Sequence, residues 1–158
     1  MGMTRVGKVG VVTLALVLAS AGTAFAYWSV VGSGTGTAVT GNVAAITAVQ
    51  TSVVTGMAPG DTAQTLSGNF TNPNPGPVYV AKVTASIGSV VKAVGAPAGT
   101  CTAADYSLAS PVMTVAAEVP AGTAQGSWTG ATIQFKNDPA VNQDACKGAT
   151  VNLAYAIS

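Results

Sequence analysis

The six residues Asn72-Pro73-Asn74-Pro75-Gly76-Pro77 leave this chain few folds to choose from. Three prolines in six positions offer no N–H to a ladder and hold φ near the polyproline value, so the stretch fits neither the middle of a helix nor a central strand. It reads as a rigid corner. Upstream of it, Leu66, Gly68 and Phe70 alternate with Thr65, Ser67 and Asn69. Downstream, the run "VYVAKVTASI" sets Tyr79, Ala81, Val83, Ala85 and Ile87 against Lys82, Thr84 and Ser86. Two period-2 runs joined by a corner that cannot be helical describe β-strands with one buried face.

The same period recurs along the chain. In "VAAITAVQTSVV" (43–54), Val43, Ala45, Val49 and Val53 share a parity, and "MAPGD" then ends the run. "GAPAGTC" reads as a loop, "SPVMTVAAEV" as a strand aligning Met113, Val115, Ala117 and Val119, and "PAGTAQG" as another loop. "SWTGATIQFK" aligns Ala131, Ile133 and Phe135, which assigns Trp128 to the polar face with Thr132, Gln134 and Lys136. "ATVNLAYAIS" aligns Val151, Leu153, Tyr155 and Ile157 against Thr150 and Asn152. No segment has a helical period, although "CTAADYSLA" has room for one short turn of helix. Val and Thr favour strands and Gly and Pro punctuate them. The expectation is an all-β chain: a single antiparallel β-sandwich, immunoglobulin-like or jelly-roll, of about seven strands with one disulfide. Six strands come from these runs, and the Gly/Thr-rich stretch before residue 42 is the candidate for another.

The N-terminus has a different character. Arg5 and Lys8 precede an apolar run from Val9 to Ala21, which ends in Ala24-Phe25-Ala26. A basic start, an apolar centre and small residues three and one before the cut are the marks of a secretory signal peptide, with cleavage between Ala26 and Tyr27. The expected organisation is 1–26 signal peptide, 27–41 Gly/Thr-rich segment and 42–158 sandwich domain. Contact with a membrane is then expected only through the uncleaved signal peptide.

Charged residues make up only 7% of the chain and histidine is absent. After residue 26 the charges are Lys82, Lys92, Lys136 and Lys147 against Asp61, Asp105, Glu118, Asp138 and Asp144. So sparse and balanced a set supplies no footprint for a phosphate backbone, which argues against nucleic acid as a partner. A serine nucleophile would lack its histidine base, and no G-x-S-x-G elbow occurs. Paired carboxylates for glycoside hydrolysis are poorly provided, with Glu118 and four aspartates mostly in loops. No catalytic residue and no cofactor is expected. "GSGTG" (32–36) resembles a phosphate-cradling loop, but no helix signal follows it, and such loops work at a helix N-terminus.

Cys101 and Cys146 are an even pair, and in an exported chain oxidation to a disulfide is the default. A metal-binding pair would need further ligands, and there is no histidine to supply them. The loop "KNDPAVNQDACKG" (136–148) gathers hard oxygen donors, and Asp138, Asn142 and Asp144 are weak candidates for Ca²⁺; Asn-Asp-Pro is equally ordinary turn chemistry.

Between residues 27 and 39 an apolar start meets an alternating ribbon. Tyr27, Trp28, Val30 and Val31 are too apolar for a tail free in water, and Thr35, Thr37 and Val39 alternate with Gly34, Gly36 and Ala38. That pattern suits a strand added to an exposed sheet edge, either in its own domain or in a neighbour.

An apolar region ending "TAFAYWS", followed by the Gly/Thr ribbon and "TAVTGN", resembles the SipW-dependent-type signal peptides of secreted bacterial surface proteins. "GNFTNPNPGPVYV" and "NQDACKGATVNLAY" look like small exported β-sandwich proteins of high-GC Gram-positive bacteria. The resemblance implies a TasA/camelysin-like matrix-fibre subunit, jelly-roll-like in fold, which polymerises head to tail by lending an N-terminal strand to the next copy. Two functional expectations follow: a non-enzymatic structural or cell-surface assembly protein whose partners are itself or surface components, or a secreted monomeric binding module for a glycan, a peptide or calcium.

Overall fold

The computed structural model describes residues 33–158. Residues 41–158 form one compact unit of seven strands: β1 (Thr47–Gln50), β2 (Gln64–Asn72), β3 (Val78–Val91), β4 (Tyr106–Ala109), β5 (Val112–Val119), β6 (Gly122–Phe135) and β7 (Thr150–Ile157). They make two antiparallel sheets, ordered β1-β2-β6-β4 and β5-β3-β7. Apart from β1 to β2, every connection passes from one sheet to the other, so each sheet is assembled from distant stretches of chain. The short turn in "CTAADYSLA" is a 3-10 turn at Ala103–Asp105, and β4 follows it directly.

The strand count therefore reaches seven without the Gly/Thr segment. Residues 33–46 carry no strand, and Thr35, Thr37 and Val39 are exposed. Ala26, Tyr27, Trp28, Val30 and Val31 lie outside the described residues, as does the whole signal-peptide reading. Among the described residues no helix is long and apolar enough to cross a membrane.

The inner faces meet in a core of Leu66 and Phe70 from β2, Val80 and Val83 from β3, and Trp128 and Ile133 from β6, closed by Met113 and Val119 of β5. For β2 and β7 the alternation holds as read: Leu66, Gly68 and Phe70 are buried, and Val151 to Ile157 turn alternate residues inward.

In β5, Ala117, read as inward with Met113, Val115 and Val119, is exposed next to the irregularity at Ala116 (φ 48°). Three further faces differ from the sequence reading, and β-bulges account for two of them. Trp128, assigned to the polar face, is buried in the core. Between the pairs Ser67↔Thr129 and Thr65↔Thr132, two steps on β2 oppose three on β6, with Gly130 at φ 129° taking up the extra residue. The bulge reverses parity, and Trp128 shares a face with Ala131 and Ile133. Two further bulges, at Gly126 (φ 58°) and Ala124 (φ 56°), bend the early half of β6, and "PAGTAQG", read as a loop, is therefore mostly strand.

Tyr79 is exposed rather than inward. The amides of Ala81 and Lys82 both donate to the carbonyl of Ser158 at 2.9 Å, so two residues of β3 face one across the ladder and the parity set by Val83 is lost upstream. Val80 takes the inward place.

The third change is in β1, where Val43, Val49 and Val53 are exposed while Ile46, Ala48 and Val54 pack on the core. The run is apolar on both parities, and the inward one also carries Gln50, whose side chain accepts from the Tyr155 hydroxyl at 2.7 Å and donates to Ser52 O.

The proline corner is fastened by its asparagines. Asn72, at the end of β2, donates to Gly76 O and to Val119 O, and its Oδ1 accepts from the backbone and the side chain of Asn74. Asn74 in turn makes a two-way pair with the backbone of Ala44. Both are buried and neither leaves a buried polar atom unpaired. One hydrogen-bonded knot thus joins the β2–β3 corner, the end of β5 and the lead into β1.

Candidate functional site: the disulfide end and its groove

The connections β1–β2, β3–β4 and β6–β7 all lie at the end of the sandwich away from the proline corner. Cys101 and Cys146 join two of them, with a Cα–Cα distance of 5.1 Å. Cys146 closes a 3-10 turn, Asp144–Cys146, just ahead of β7, and Cys101 ends the "GAPAGTC" loop. That loop is held from within, since the Lys92 ammonium donates to Pro97 O and Gly99 O. Tyr106, Phe135 and Ala145 pack around the bridge as a second small core. Tyr106 and Phe135 stack at 5.1 Å, and burial raises the Tyr106 hydroxyl pKa above the ordinary phenol value, with the nearby Asp105 charge adding to the shift.

Beside this core the sandwich is incompletely closed. β1 ends at Gln50, although the amides of Thr51 and Ser52 still donate to Ser67 O of β2. Past Ser52, Thr55 holds to β2 through Gln64, whose amide accepts from Thr55 N at 3.2 Å and donates to Thr55 O at 2.9 Å, one side chain standing in for a ladder rung. Under this strap runs a groove of about 350 Å³, with Met57, Tyr106 and Phe135 along it and Val151 and Leu153 on the β7 side. It continues past Met57 and Cys146 into a second depression of about 550 Å³ beneath the β6–β7 loop.

The calcium candidates border that second depression, and one oxygen of each is engaged within the loop. Asp138 Oδ1 accepts from Ala140 N, Asn142 Oδ1 accepts from Asp144 N, and Asp144 Oδ1 pairs with Lys147 at 2.8 Å. These are Asx turns and a surface ion pair.

A different cluster was not visible as such in the sequence. The Cys101 and Cys146 sulfurs and a carboxylate oxygen of Asp105 lie within 4.8 Å of one another. Asp105 is half-buried and firmly placed. Its Oδ2 accepts from Thr102 N at 2.8 Å, its Oδ1 from the Gln143 amide at 3.2 Å, and the Thr102 hydroxyl closes a reciprocal capping box. The Thr102 amide, together with the Gln143 and Thr102 side chains and the Lys136 charge, outweighs the cost of burial and holds the Asp105 carboxyl below its usual pKa. The readable signal was Thr102-x-x-Asp105, a capping-box spacing that begins one residue after the cysteine.

Fold and site together define a disulfide-bonded antiparallel β-sandwich with a groove at the bridged end. No protein-family model, no curated protein and no solved structure matches the chain.

Proposed function

We propose that this chain is an exported, non-enzymatic surface or matrix-assembly subunit that joins copies head to tail through the segment from Tyr27 to Val39. The supporting observation is a mismatch between edges. β7 is eight residues without charge, proline or glycine, and among the described residues it is laddered on one side only, to β3. A long, uncharged edge is a pairing site that folded proteins ordinarily protect. The alternating segment Ser33–Thr40 carries no strand in the described residues and is exposed throughout. A strand donor and a strand acceptor on one chain make a heterologous contact, which repeats without closing and grows as a fibre. The resemblance to TasA/camelysin-like proteins points the same way.

The experiment is removal of Tyr27–Ala38 from the chain that begins at Tyr27. Assembly by this segment predicts a folded monomer that no longer polymerises, read by size-exclusion chromatography and electron microscopy. An intact chain that remains monomeric at high concentration without filaments overturns the reading. The groove at the disulfide end favours the second reading, a monomeric binding module, in that case.

A further inference from the structure

We propose that Cys101, Cys146 and Asp105 form a redox-gated site for a thiophilic divalent cation, zinc or cadmium, which is closed while the disulfide stands and open once it is reduced. Three ligand atoms already lie within 4.8 Å of one another, on backbone that the fold holds from several sides. Two thiolates bound to one zinc stand about 3.8 Å apart, as tetrahedral geometry with Zn–S of about 2.3 Å requires, which is also close to the contact distance of two unbonded sulfurs. Opening the bridge therefore moves the sulfurs toward ligand spacing rather than away from it.

The carboxylate needs little reorganisation. Asp105 is fixed by Thr102 N and by Gln143, and each oxygen keeps lone pairs beyond those bonds. Supporting hydrogen bonds of this kind orient metal ligands. Tyr106 Oη lies 3.8 Å from Cys101 Sγ and is placed to donate to it as a thiolate. Of the three ligands Cys146 alone lines the two depressions, so a cation and a water molecule enter from its side of the bridge, and the water completes a four-coordinate Cys₂Asp site. The chain lacks histidine, and the structure supplies a carboxylate as the third ligand instead.

The steps balance. A dithiol reductant gives two electrons and two protons to the Cys101–Cys146 bond, becomes a disulfide itself and leaves two thiols. The cation then displaces both thiol protons to solvent and is held by two thiolates and the Asp105 carboxylate. Affinity falls at low pH, where protons compete for the sulfurs.

The test uses the full chain, oxidised and reduced with a phosphine, titrated with Cd²⁺ while thiolate-to-cadmium charge transfer is followed in the ultraviolet, and with Zn²⁺ against a chromophoric chelator. The expected result is one equivalent bound by the reduced chain, none at these residues by the oxidised chain, and at least a tenfold loss of affinity in Asp105→Asn. Asparagine keeps an acceptor for Thr102 N, so the turn survives, and near-ultraviolet circular dichroism of the oxidised variant checks this. The reduced chain should also melt at a higher temperature with Zn²⁺ than without. Equal affinity in Asp105→Asn means that a bare dithiol is being chelated and overturns the proposal. A reduced chain that binds no cation, or that is unfolded and is not refolded by one, overturns it equally.

Discussion

Gly68 occupies the one place in β2 where the main chain passes beneath the Trp128 indole. A Cβ built there would collide with Val49 O and with the indole ring, and the first of these is backbone of the neighbouring strand. Gly88 in β3 contrasts with it, since a Cβ there meets nothing nearer than Asn152 O at 3.4 Å. Gly68→Ala should therefore destabilise the domain by about 1–3 kcal/mol or more, as overpacking does. Gly88→Ala should be neutral or slightly stabilising, because it removes backbone freedom from the unfolded chain. Urea unfolding of both variants checks the pair. Tyr155 gives a pH counterpart. It stacks on Trp128 at 4.6 Å and donates to Gln50, and burial raises its hydroxyl pKa above 10.0. A pKa raised by folding means stability that is whole below the unfolded phenol value and is lost as pH rises through the folded one. Stability should decline above about pH 10, and Tyr155→Phe should flatten that decline at the cost of the Gln50 hydrogen bond.

Among the elements, β2, β7 and the end of β6 were legible because nothing interrupts their alternation. The strand faces read wrongly are those next to a bulge or in a short edge strand. Trp128 and Tyr79 each lie on the far side of an inserted residue, and period-2 counting has no way to see an insertion whose cause is pairing with a strand distant in sequence. β4, four residues after a turn, is too short to have a period at all. At the site, the bridge was legible from two cysteines, whereas the groove depends on the strap around Thr55 and its single Gln64 clamp. The proline corner was readable as a corner but not as a knot, since the partners of Asn72 and Asn74 come from residues 44, 76 and 119. Each buried group orphaned by a lost partner costs about 1–3 kcal/mol. Asn72→Ala orphans Val119 O and the Asn74 amide together, so it should destabilise more than Asn74→Ala, whose partner Ala44 lies in the more exposed lead into β1. Thermal melts of the two variants decide the order.

At the scale of the whole molecule, a sandwich of two open sheets has four edges, and they are protected unequally. β1 and β4 have four residues each. β5 carries Glu118 and an irregularity at Ala116, with φ 48°. Short strands, charges and bulges are the usual protections of an edge; among the described residues β7 is neither short nor charged, and the irregularity in its pairing with β3 falls on the β3 side, between Ile87 and Ser89. The assembly reading therefore places the seam at β7, and a lysine there should break it. Ala154 is exposed on the outer face of β7, opposite Ser86, so its replacement leaves the core untouched. Ala154→Lys should fold with an unchanged melting profile and show no filaments by electron microscopy. Ala109→Lys, at the end of β4 on the other sheet, should assemble as the parent does. Because charge repulsion at a seam is screened by salt, partial recovery of Ala154→Lys assembly is expected near 1 M salt, where the Debye length falls to about 3 Å. If both lysine variants form filaments at the parent's rate, the seam is not at β7; if both lose assembly alike, the effect is net charge rather than the edge.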